Sequence, residues 1–96
     1  MKNDVPVFTA IWEIELAVNY EEQKDKVTQK QLADQSKISL SSYKNHLLAG
    51  RKRILNYKNY TKDFVSIEED AKVFEWFMKY SENHLDAIRK IIVNNS

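Results

Sequence analysis

Ninety-six residues hold one domain, near the lower end of what buries a self-sufficient core, and eleven aromatic side chains (two Trp, five Tyr, four Phe) supply material for it. The absence of cysteine excludes a disulfide framework, a thiolate nucleophile and a Cys-ligated zinc site. Net charge is only +1, yet residues 35–62 carry Lys37, Lys44, Arg51, Lys52, Arg53, Lys58 and Lys62 with no acid, against eight basic and fourteen acidic residues elsewhere; charge so divided points to a polyanionic partner.

The N-terminal MKNDVPVF has no apolar signal-peptide core and no run approaches a membrane span, so a cytoplasmic protein without membrane association is expected. From 6 to 24, Phe8, Ile11, Trp12, Leu16 and residues 18–20 recur at three- and four-residue spacing, which predicts an amphipathic leading helix with Pro6 in its first turn. Thr28-Gln-Lys-Gln31 fits a capping box, opening a short helix over about 29–35 with Leu32 and Ala33 facing inward. Ser39 is the cap of a third helix, about 40–48, whose Leu40, Tyr43 and Leu47 share a face. Gly50 then falls where a left-handed residue ends a helix.

Residues 51–66 change character, mixing Ile54, Leu55, Tyr57, Tyr60, Phe64 and Val65 with polar positions. They predict a hairpin, strands 53–57 and 60–66, turning near Lys58 and Asn59. Residues 67–93 form the longest helical pattern. Two neighbouring stripes run along it, one through Phe74, Met78, Leu85, Ile88 and Ile92, the other through Val73, Phe77, Tyr80, His84, Ala87 and Ile91. The polar cluster Ser81-Glu82-Asn83 is the point where it would bend or break. Unbroken, this helix spans roughly 40 Å at about 1.5 Å per residue. So broad and long an apolar face predicts a homodimer, with Phe74, Met78, Leu85, Ile88 and Ile92 as its interface.

The stretch VTQKQLADQSKISLSSYKNHL supplies, in order, a capped helix, a small residue (Ala33) at the crossing point, an apolar turn residue (Ile38), a second cap (Ser39) and inward Tyr43 and Leu47. It resembles the helix-turn-helix of bacterial and phage DNA-binding regulators, departing from it at Lys37, where glycine is usual, and at the bulky Tyr43. Repressors of the phage Cro type continue from the motif with more helices. With a basic strand-like segment next, the chain more closely resembles the winged helix-turn-helix DNA-binding proteins of bacteria, phages and plasmids. That resemblance implies a mainly α fold with a small β-hairpin: one domain, 1–96, comprising a leading helix (6–24), the helix-turn-helix (28–50), a hairpin wing (51–66) and a long C-terminal dimerisation helix (67–93).

It further implies a sequence-specific double-stranded DNA-binding protein, either a transcriptional regulator or a mobile-element accessory protein at a plasmid partition site or transfer origin. Ser41, Ser42, Lys44 and Asn45 would face the major groove, with His46 as a further candidate and Ser39 near a phosphate. Because that helix carries only Lys44, the wing residues Arg51, Lys52, Arg53, Lys58 and Lys62 would supply an unusually large share of the contact. The rival expectation is a protein-interaction adaptor, an anti-repressor or antitoxin that reuses the fold and docks a further protein. No phosphate loop, nucleophile elbow or carboxylate–histidine cluster is present, and His46 and His84 lack ligand spacing, so neither an enzyme nor a cofactor or metal is expected. Trp12, Phe74, Trp76 and Phe77 read as core or dimer contacts.

Overall fold

The first helix is apolar on more of its circumference than a surface helix needs, and its place in the fold explains this. The computed structural model describes residues 4–58 and 68–95. These form α1 (Asp4–Gln23), α2 (Gln29–Gln35), α3 (Leu40–Lys58), α4 (Glu68–Ser81) and α5 (Leu85–Asn95). Helix α1 packs against α3, α4 and α5 at once, while α2 lies on α3. Its Ala10, Ile14, Leu16, Ala17 and Val18 are therefore buried on several sides. Phe8, expected inward, is instead 69% exposed.

The helices on either side of Lys37 start where the sequence predicts. Gln31 N–H donates to Thr28 Oγ1 at 3.1 Å, and Thr28 N–H donates to Gln31 Oε1 at 2.8 Å, completing the capping box. Helix α2 ends in a Schellman arrangement: Ile38 N–H donates to the Ala33 carbonyl and Lys37 N–H to that of Asp34, each at 3.1 Å. Lys37 holds the left-handed position, φ 62°, that glycine usually fills, at a cost of roughly 1 kcal/mol. Ser39 Oγ then accepts from Ser42 N–H at 3.1 Å and starts α3. Thr28→Ala removes the first of these caps; the expected loss is about 1 kcal/mol, a melting point about 5 °C lower, read by thermal unfolding.

Two expectations fail beyond the motif. The hairpin wing is absent, since the described residues contain no strand: 53–57 lie inside α3, and the second strand, 60–66, falls outside the described residues. The physical reason is a buried row, Tyr43, Leu47, Gly50, Ile54 and Tyr57, whose four- and three-residue steps keep the helical period running through the glycine. Burying Ile54 and Tyr57 outweighs their strand preference. Gly50 is thus no helix terminus. A Cβ on it would stand 2.1 Å from the Glu13 carbonyl oxygen and 3.1 Å from Ala17 Cβ, so its missing side chain is what lets α3 cross α1 backbone to backbone.

The long C-terminal helix is also two. After α4, Glu82, Asn83 and His84 N–H groups bond to the carbonyls three residues back, closing a turn, and α5 restarts at Leu85. The break folds the apolar face back onto its own domain. Val73, Phe77, Ala87, Ile88 and Ile91 are buried, with Phe74 and Ile92 packed against the same core. Tyr57 meets Phe74 and Phe77, both at 5.4 Å between ring centroids. Of the residues assigned to a dimer interface, Ile88 is therefore core, and Met78 and Leu85, each 55% exposed, remain outward.

Candidate nucleic-acid interface

With 51–58 helical, the residues expected to face a groove and most of those expected in a wing share one rod. Along α3, Ser41, Lys44, Asn45, Leu48, Lys52 and Asn56 are exposed at three- and four-residue spacing, a single outward stripe about 22 Å long. Its buried counterpart is the row from Tyr43 to Tyr57, so the two faces of one helix divide into a core side and a solvent side.

The remaining assigned residues sit differently. Ser39 is exposed and acts as a cap, and Ser42 is half-buried with its N–H bonded to that cap. Arg51 leans toward α1, its guanidinium carbon 5.5 Å from the centre of the Tyr20 ring. Arg53 is half-buried beside Lys52. Lys58 closes α3, and Lys62 lies outside the described residues. The basic emphasis expected of a wing thus falls on the second half of α3, with Lys52 as its most outward cation among the residues whose exposure is described. Leu48 and Asn56 belong to the same stripe, and a reading that ended the helix at 48 missed them. Extending the period of the buried row past Gly50 would have found them.

Beneath the stripe the helix is fixed by α1. The His46 Nδ1 lies 2.7 Å from Glu13 Oε2, and its ring meets Trp12 edge-on with centroids 4.7 Å apart, which holds the half-buried His46 against α1 and gives the buried Glu13 a partner. His84 is fixed likewise, its Nδ1 2.8 Å from Glu22 Oε2 and its ring stacked on Tyr80. Tyr80 in turn stacks on Trp76. Trp12, Leu16, Leu32 and Tyr43 line a shallow depression of about 230 Å³ between α1 and the helix-turn-helix. Acidic side chains gather elsewhere: Glu21, Glu22, Asp25, Glu82 and Asp86 share a cleft between the end of α1 and the α4–α5 turn. Charge separation along the sequence therefore survives as separation in space. No group of three or more potential metal ligands meets among the described residues, and no helix there is long and apolar enough to cross a membrane.

Tyr43, the bulky departure from the helix-turn-helix pattern, is 1% exposed, and its hydroxyl is buried with no hydrogen-bond partner among the described residues. Burial pushes its phenol up to about 12, and burial, with Glu15 and Glu22 adding to it, does the same to Tyr80. Both folded values lie above the ordinary 10, so the folded state holds these protons longer than the unfolded state. Stability from them is fully present below pH 10 and lost as pH rises toward 12, with a slope approaching two protons per chain. Tyr43→Phe reduces that slope by one proton. It also raises stability at neutral pH by about 1 kcal/mol, by deleting an unsatisfied hydroxyl. Denaturant unfolding at a series of pH values checks both statements.

Comparison with protein families, with curated proteins and with solved structures returns no match.

Proposed function

We propose that this chain binds double-stranded DNA through its helix-turn-helix, laying the outward stripe of α3 in the major groove, and acts by occupying its site. One observation carries the reading. The stripe that α3 turns to solvent contains only cationic, amide, hydroxyl and one aliphatic side chain, and it lies in the acid-free window 35–62, outside which the chain balances to −6. Asn45 and Asn56 suit adenine edges, Lys44 and Lys52 suit phosphates or guanine, and Ser41 suits either. A site-occupying protein of this kind serves as a transcriptional regulator or as an accessory protein of a mobile element at a partition site or transfer origin.

A second reading, a protein-docking adaptor of the anti-repressor or antitoxin kind, draws support from the exposed Met78 and Leu85 on α4 and α5. Of the residues expected at a homodimer interface, the same two are the ones that remain exposed. Selection of bound duplexes from a random pool near physiological salt separates these readings. An enriched motif supports the DNA reading, and two inverted halves about one helical turn apart support a symmetric dimer on it. No enrichment, together with binding that ignores salt, defeats the DNA reading in favour of the adaptor.

A further inference from the structure

We infer that Leu48 reads a thymine, packing its side chain on the C5-methyl group at the centre of the contacted DNA segment; the inference rests on the DNA-binding reading above. Leu48 is 51% exposed, whereas Tyr43, Leu47, Ile54 and Tyr57 of the same helix are buried. It stands at the middle of the outward stripe, seven residues from Ser41 and eight from Asn56. Its neighbours along that stripe are Lys44, Asn45 and Lys52, all exposed and none apolar. An apolar protein surface would leave these lysines without partners. The major groove fits them, since it is anionic along both walls and apolar on its floor only where a thymine methyl projects.

The dimensions agree. A straight helix touches the floor of a groove that winds away from it only near its own midpoint, which here is Leu48. Lys44 and Lys52 lie about one turn to either side of Leu48 and are rotated about 40° around the helix in opposite senses, in a groove about 12 Å wide. Their side chains therefore reach toward opposite phosphate walls while the leucine points between them. Asn45, on the same turn as Lys44, is placed to pair with the neighbouring adenine.

Thymine-to-uracil exchange removes the methyl group and leaves base pairing intact. In the duplex obtained by selection, each thymine is replaced by uracil in turn, and affinities of the wild-type chain and Leu48→Ala are measured by fluorescence anisotropy. One thymine in each contacted site is expected to weaken wild-type binding about fourfold when replaced, the worth of one buried methyl group. Leu48→Ala is expected to bind the thymine and uracil duplexes equally, with an unchanged melting point because the side chain is exposed. Wild-type affinity indifferent to every uracil, or a uracil effect that persists undiminished in Leu48→Ala, overturns the assignment while leaving DNA binding in place. A chain that binds no duplex overturns both.

Discussion

Gly50→Ala lowers the melting point by about 10–20 °C. The added Cβ would meet the Glu13 carbonyl oxygen at 2.1 Å and its carbon at 2.7 Å, both backbone atoms of α1 that no rotamer change can move aside. Helices α1 and α3 must then separate at their crossing, where Ala17, Ile14 and Ile54 are buried. Overpacking of this kind costs roughly 3–4 kcal/mol, above the usual range because backbone must move. Alanine's better helix propensity returns about 1 kcal/mol. The net loss of about 2–3 kcal/mol corresponds to the stated shift at about 4–8 °C per kcal/mol for a domain of this size. Ala17→Gly in the same chain does not restore it, because the carbonyl clash remains. A Gly50→Ala protein that melts at or above the wild-type temperature would mean that propensity wins and the helices do not approach so closely.

The second large effect is on binding. Lys44→Ala with Lys52→Ala makes the log–log salt dependence of DNA affinity shallower by about 1.8, two phosphates at about 0.9 each. At 0.15 M salt the same arithmetic gives roughly 30-fold weaker binding. The control is Lys79→Ala with Lys90→Ala, which removes equal charge from exposed positions on α4 and α5. That pair is expected to change affinity less than about threefold and to leave the slope alone. Equal effects from both pairs would reduce the interaction to net charge and remove α3 as the contacting face. No effect from either would remove the DNA reading itself. Titrations of the four proteins against one selected duplex at several salt concentrations provide the measurement.

Local signals carried the N-terminal half of the fold. Thr28, Gln31 and Ser39 make their caps through atoms within three residues, and Ala33 and Leu32 face inward as their spacing implies. Such features are decided by neighbours in the chain, so the chain displays them. Gly50 is the opposite case. Its meaning depends on the carbonyl of Glu13, thirty-seven positions earlier, and a lone glycine after a helical pattern reads as a stop unless that carbonyl is known. Misreading it ended α3 early and left 53–57 to be judged on β-branched and aromatic content alone. Ile54 and Tyr57 are helical because α1 and α4 cover them. The break at residues 82–84 was visible as a polar cluster. Its consequence was not, since only the folded chain shows that α5 turns its Ile88 and Ile91 onto α1 and α3 rather than onto a second copy. For the candidate interface, Ser41, Lys44 and Asn45 are expected from the motif and Lys52 from the basic segment after it, while Leu48 and Asn56 join them only once the helix is known to continue.

The division of α3 into a packed side and a wetted side has a consequence for how such a chain changes its target. Tyr43, Leu47, Gly50, Ile54 and Tyr57 are buried among interior neighbours, whereas Ser41, Lys44, Asn45, Leu48, Lys52 and Asn56 are exposed. A library randomised at those six positions should stay almost uniformly folded, because exposed substitutions rarely move stability by more than about 0.5 kcal/mol. Selectivity can then drift, or be retuned at the bench, without each variant first having to recover its fold.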